Sequence, residues 1–145
     1  MRLSARTEYA AIAAAEIARR SDAERLVGMK TICEAQGVPP KFLVHILLEL
    51  KRAGIVTSVR GAGGGYRLAR PAGEITLRDI EAAIEGEGAT PAPITTQLAG
   101  SSRTAAGLLA AWRAAAEARS AALQDVTLAD LAARSRTAGE AMYYI

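Results

Sequence analysis

Five residues with little or no side chain, Gly61-Ala62-Gly63-Gly64-Gly65, stand between two short β-type runs, Ile55–Arg60 and Tyr66–Ala69. Glycine-rich chain between two such runs reads as a β-hairpin with a flexible tip. A phosphate-binding loop is the rival reading, and it fails: no Lys-Ser/Thr pair follows, and the next element is a strand. A purely structural glycine turn stays open. Its surroundings are basic, with Arg60 before the tip and Arg67 and Arg70 on the returning strand. Such a tip can approach a sugar-phosphate backbone closely, and arginine inserts into a narrow minor groove.

Helices precede the hairpin. Tyr9, Ile12, Ala13, Glu16 and Ile17 include apolar positions at helical spacing and predict a helix over Ala5–Arg20. A short helix, about Lys30–Ala35, stops at Gly37, a residue type suited to a left-handed helix end. Pro39-Pro40 opens a third helix, Pro40–Ala53, where proline sacrifices no hydrogen bond. If Phe42, Leu43, Ile46, Leu47 and Leu50 form its buried stripe, then Lys41, Val44, His45, Leu48 and Arg52 face outward. Helix, short helix, glycine turn, helix and hairpin is the layout of a winged helix-turn-helix, whose second helix enters the major groove. Lys41 and His45 can donate to bases or phosphates, Val44 can touch a thymine methyl, and Lys51 and Arg52 suit phosphates. A plain amphipathic core helix would show the same periodicity.

Beyond the hairpin, Thr76-Leu77-Arg78-Asp79 has the form of a capping box and starts a helix to about Glu85. Gly86–Ser102 holds two prolines and three glycines without periodicity and reads as a loop. A long helix over about Arg103–Gln124 carries Leu108, Leu109, Trp112 and Leu123 close to one face. Thr127-Leu128-Ala129-Asp130 repeats the capping pattern and predicts a last short helix, Leu128–Arg134, before the tail Met142-Tyr143-Tyr144-Ile145. The fold class is therefore mainly α with a small β-hairpin wing. It divides into a DNA-binding winged helix-turn-helix over 1–85, a loop over 86–102 that is a candidate sensing region, and 103–145 with the long helix, short helix and tail. Trp112 reads as a dimer-core anchor in preference to part of a ligand cage.

Charge agrees with this division. Residues 1–71 carry twelve Lys/Arg against six Asp/Glu, and residues 72–145 carry six against nine. A basic half joined to an acidic half suggests that the first meets a polyanion, although a solvated charged surface gives the same count. Half of the 145 residues are apolar, but many are alanine and aromatic residues are few. Such a core is thin, and burial against a second subunit is a natural remedy. The single cysteine, Cys33, excludes an intramolecular disulfide and fits a reducing compartment. No apolar run approaches the ~18 residues needed to span a bilayer, so the expected setting is cytoplasmic with no membrane contact.

The stretch Gly54-Ile55-Val56-Thr57-Ser58-Val59-Arg60-Gly61-Ala62-Gly63-Gly64-Gly65-Tyr66-Arg67-Leu68-Ala69-Arg70-Pro71 resembles the wing of the Rrf-type winged helix-turn-helix transcriptional regulators. The opening Met1-Arg2-Leu3-Ser4 with Tyr9-Ala10 is also similar, as are Thr76-Leu77-Arg78-Asp79-Ile80, Leu109–Trp112 and Thr127-Leu128-Ala129-Asp130-Leu131. The resemblance implies a homodimer paired through Arg103–Gln124 and a roughly palindromic duplex DNA operator. It implies DNA contacts from Arg2, Ser4, Pro40, Lys41, Val44, His45, Lys51, Arg52, Arg60, Gly61, Gly63, Gly64, Tyr66 and Arg67, with Arg60 probing the minor groove. Leu108, Leu109, Trp112 and Leu123 would carry dimerisation.

Relatives that hold an iron–sulfur cluster supply cysteines from the loop here spanning Gly86–Ser102, which has none. Cluster iron needs several thiolate or imidazole ligands, so no cofactor and no metal site are expected. Glu8 stands near a carboxylate ligand of some relatives but reads more simply as a surface charge. Cys33 reads as a small core residue, with a redox switch as the alternative. The expected function is a regulator, a repressor by preference, answering to a small-molecule effector or partner protein. The competing classes are a winged-helix protein-interaction module and a lone-cysteine redox regulator. An enzyme is disfavoured because no triad, phosphate loop or metal-spaced ligand set is present.

Overall fold

The computed structural model describes residues 3–20, 25–86 and 97–143. Arg2, most of the expected sensing loop and the last tail residues lie outside the described residues.

The first helix, α1 (Ala5–Arg20), buries Ala10, Ala13, Ala14 and Ile17. Alanine side chains let neighbouring helices approach closely, and α1 becomes the central post of the fold. The helix-turn-helix follows as α2 (Met29–Gln36) and α3 (Pro40–Arg52). Gly37 lies between them at φ +65°, the left-handed region, and its N–H returns to the Cys33 carbonyl at 2.9 Å. This αL cap turns the chain sharply enough for α3 to pack back on α1. Leu43, Ile46, Leu47 and Leu50 repeat at helical spacing and are buried. Phe42 was expected in that stripe and is instead 53% exposed. It sits in the first turn of α3, where no earlier turn covers it, and its ring stacks on Tyr9 with centroids 6.2 Å apart.

The wing is an antiparallel pair, β1 (Val56–Val59) and β2 (Gly65–Leu68), with Val56 opposite Leu68 and Val59 opposite Gly65. Val27 pairs with Tyr66 on the other side of β2 through two 2.8 Å hydrogen bonds, which tie the wing to the start of the helix-turn-helix. β1 is shorter than its sequence run, losing Ile55 and Arg60, and β2 is shifted by one residue, taking in Gly65 and leaving out Ala69.

Thr76 caps α4 (Leu77–Glu85) with a complete capping box. Ser102 caps the long helix α5 (Arg103–Gln124), and α6 (Leu128–Tyr143) follows. The starts of α4 and α6 are laced together: Leu77 N–H donates to the Val126 carbonyl and Leu128 N–H to the Ile75 carbonyl, both at 2.9 Å. The last helix runs about twice as far as the expected Leu128–Arg134. Its second half reads Arg136-Thr137-Ala138-Gly139-Glu140-Ala141-Met142-Tyr143, which lacks apolar periodicity, yet the helix is rich in alanine and holds no proline. Through Leu128, α6 joins the core formed by α1, α3 and α4.

One charged group lies inside this framework. Glu16 is 3% exposed and receives hydrogen bonds from Arg19, Arg20 and Gln36, the last at 2.9 Å from Gln36 Nε2. Burial alone would raise its pKa, but hydrogen bonds from the two guanidinium groups outweigh that and hold it at about 2, below the usual 4.5. A carboxyl with a lowered folded-state pKa stabilises the fold above its unfolded pKa and loses that contribution as pH falls towards the folded value. Glu16→Ala should therefore lower unfolding free energy at pH 7 by about 3 kcal/mol. It should also flatten the loss of stability between about pH 5 and pH 2, measured by urea denaturation across that range. An unchanged pH profile would contradict the assignment.

Candidate nucleic-acid interface

With one face of α3 buried, Lys41, Val44, His45, Leu48, Lys51 and Arg52 are exposed on the other. Pro40 and Lys41 begin the helix, so Lys41, Val44 and His45 sit in its first two turns. Lys51 and Arg52 close it, and Lys51 Nζ donates to Ser58 Oγ on β1 at 2.7 Å. That contact joins the outer face of α3 to the wing and makes them one continuous surface. Arg6 fixes the same end of the helix from α1, through a 2.5 Å ion pair with Glu49.

The wing tip is held by its glycines. Gly64 N–H donates to the Gly61 carbonyl at 3.0 Å, and a Cβ on Gly64 would lie 2.1 Å from the Val59 carbonyl oxygen. Only glycine closes this turn, and the turn leaves Arg60 exposed at the end of β1. Arg67 projects from β2, also exposed, whereas Tyr66 is half-buried against the Val27 pairing. Arg70 is tied back, near Asp79 at 3.6 Å and donating to the Glu74 carbonyl at 3.3 Å. Lys41, Lys51, Arg52, Arg60 and Arg67 make no ion pair among the described residues, so five cations face solvent without a neutralising partner.

The other expected site residues lie apart from this surface. Ser4 accepts from the Thr7 N–H at 3.2 Å and donates, together with Thr7, to the Glu85 carboxylate. These hydroxyls, Ser4 foremost, hold Glu85 below the usual carboxylate range. Cys33 is half-buried on α2. On α5, Leu109 turns inward and is buried, Leu123 is half-buried, and Leu108 and Trp112 remain 46% and 54% exposed. Sequence reasoning missed Ser58, Val27 and the Tyr9–Phe42 stack. All three depend on contacts between distant segments that no local pattern announces.

A bare helix face beside a basic hairpin is how winged helix-turn-helix proteins meet duplex DNA, and this geometry defines that class. The comparisons narrow it. The chain belongs to the Rrf2 family, described as iron-dependent transcriptional regulators, whose model matches residues 3–134. It is 38% identical over 132 residues to Rv1287 of Mycobacterium tuberculosis (strain ATCC 25618 / H37Rv), which bears the name of an HTH-type transcriptional regulator; the match covers 91% of this chain and 81% of that one. The HTH-type transcriptional regulator IscR of Vibrio atlanticus (strain LGP32) is 34% identical over 132 residues, with 90% and 75% covered. The solved structure of CymR (YrzC), the global cysteine regulator of B. subtilis, superposes with a TM-score of 0.76 at 27% identity, covering 92% of this chain and 98% of that one. The protein is thus a DNA-binding transcriptional regulator with the winged-helix fold.

The family's description raises the question of iron. The whole chain offers one cysteine and one histidine, Cys33 within α2 and His45 on the outer face of α3. Among the described residues no three His, Cys, Asp or Glu groups gather to hold a metal ion. With so few thiolate and imidazole donors, this residue set does not fit an iron–sulfur cluster. Nor is any helix among the described residues long and apolar enough to cross a membrane.

The geometry separates two neighbouring cations. Arg52→Ala should reduce the slope of log binding constant against log salt by about one, without altering sequence preference. Lys51→Ala should do the same and also speed amide exchange in β1, because it frees Ser58. Fluorescence anisotropy and hydrogen-exchange NMR check the pair, and equal exchange in both variants would contradict the Lys51–Ser58 link.

Proposed function

We propose that the protein is a cytoplasmic repressor that binds a roughly palindromic operator as a homodimer. The observation that carries this reading is the single surface made by the outer face of α3 and the wing, joined by Lys51 and Ser58 and bearing five unpaired cations. Lys41, Val44 and His45 enter the major groove with the first turns of α3. Arg60 enters the adjacent minor groove, and the glycine tip brings the backbone of Gly61, Gly63 and Gly64 close to phosphates. Lys51, Arg52 and Arg67 add phosphate contacts.

Dimerisation supports the reading from the other side of the molecule. Only Ala105 and Leu109 of α5 are buried in the protomer, and the exposed Leu108 and Trp112 stand one turn apart on its surface. An alanine-rich, mostly solvated helix gains stability from a partner's apolar surface, and an identical α5 is the simplest one. Leu123 continues the stripe towards the end of the helix. Control comes from a small molecule or partner protein in place of a cluster, and the 86–102 segment is one candidate for the region that receives it.

Binding to DNA from immediately upstream of the protein's own gene tests the proposal, by fluorescence anisotropy at two salt concentrations against a scrambled duplex. The expected result is specific, salt-sensitive binding at one dimer per site. Arg60→Ala should weaken it about tenfold and relax preference for A·T-rich flanks. Absence of binding to either duplex at low salt would overturn the reading in favour of a protein-interaction module.

A further inference from the structure

The outer face of α3 is poor in hydrogen-bonding groups for a helix that meets DNA. From Pro40 to Leu48 it carries Lys41 and His45 and no Arg, Asn, Gln, Asp or Glu. Those absent side chains supply most of the selective hydrogen bonds to base edges. Glu49, the next polar residue, is turned to α1 by its 2.5 Å ion pair with Arg6. In their place the face sets two aliphatic side chains in water: Val44 is 48% exposed and Leu48 43%. They stand at i and i+4 on one side of the helix, about 6 Å apart along its axis.

Core packing does not account for this pair, because the buried stripe of Leu43, Ile46, Leu47 and Leu50 lies on the opposite face. Lys41, Lys51 and Arg52 flank it, and none of the three makes an ion pair among the described residues. An apolar protein partner would desolvate these charges without matching them. A polyanion with apolar spots matches both features. In the major groove of DNA the apolar spot is the C5-methyl of thymine. The other base edges present donors and acceptors, which an aliphatic side chain would cover and leave unpaired.

We infer that Val44 and Leu48 are a methyl-reading pair, which selects pyrimidines bearing a C5-methyl at two positions of each half-site. The inference rests on the reading of α3 as the major-groove helix. Their axial separation matches about two base-pair rises of about 3.4 Å, so the two methyls lie close together in the site. Readout by hydrocarbon has a consequence that readout by hydrogen bonds lacks. Thymine and 5-methylcytosine carry the same methyl group, whereas uracil and cytosine carry none. Operator binding therefore responds to cytosine methylation at these positions, and methylated cytosine is favoured over unmodified cytosine.

Duplexes that the full chain selects from a random-sequence pool supply the test. Each is rebuilt with uracil, cytosine or 5-methylcytosine at the selected thymines, and affinity is read by fluorescence anisotropy at two salt concentrations. Loss of each methyl should weaken binding about fourfold, so uracil at both positions of one half-site costs about tenfold or more. The salt slope should not change, because no charge is altered. 5-Methylcytosine should bind about fourfold more tightly than cytosine at each position. Val44→Ala combined with Leu48→Ala should bring the thymine-to-uracil affinity ratio to about one, while Val44→Ile should preserve it. Both side chains are exposed, so the melting temperature should hold in these variants. Equal affinity of the unaltered protein for thymine and uracil duplexes overturns the inference and leaves the regulator reading intact. So does a preference for thymine that survives the double substitution. Failure to select any duplex overturns both.

Discussion

Packing of one face of α3 against α1 is the constraint on which the rest of the structure depends. Leu43, Ile46, Leu47 and Leu50 are withdrawn from water together, which leaves α3 one rotation about its own axis and sets which residues reach solvent. Four fully buried aliphatic side chains contribute on the order of 6–12 kcal/mol before the entropy of ordering them is counted. No surface contact competes with that. Lys41, Val44 and His45 point outward because the leucines and isoleucine point inward, and the functional face is a by-product of core packing.

The remaining elements hold that helix in register with the wing. The Gly37 cap sets the angle between α2 and α3, and the Glu16 cluster clamps the end of α2 to α1. Val27 ties the start of the helix-turn-helix to β2, and Lys51 ties the end of α3 to β1. The two reading elements are thus linked at both ends of the motif. On the opposite side, the lacing of α4 to α6 fixes the entry to the last helix, while the Arg119–Glu81 ion pair ties α5 to α4. Most of α5 otherwise meets solvent, and the contrast with α3 is physical: alanine forms helix readily but offers little area to bury.

Periodicity made most of this legible in the sequence. The stripe of α3, the glycine cap, the hairpin and both capping boxes are local signals, and each appears in the structure. Phe42 marks the limit of periodicity: it satisfies the stripe's spacing, but the first turn of a helix has nothing above it, and its ring stacks only on Tyr9. The extent of α6 was illegible because the sequence from Arg136 onward has no apolar period to follow. Glu16 stood in the apolar pattern of α1 without a visible reason; its partner Gln36 lies twenty residues on, and only the fold brings them together. Leu109 likewise shares a face with Leu108 and Trp112 in the sequence, yet it alone turns into the protomer, since neighbours in an alanine-rich helix differ little in side-chain cues.

The central claim is that α3 and the wing act as one surface. Hydrogen–deuterium exchange of the protein with and without bound operator tests it most directly. The account predicts added protection in Lys41–Leu48 and in Val59–Arg67 together, both weakened when Ser58→Ala breaks the bond to Lys51. Protection confined to α5 and α6, or to only one of the two reading elements, would contradict it.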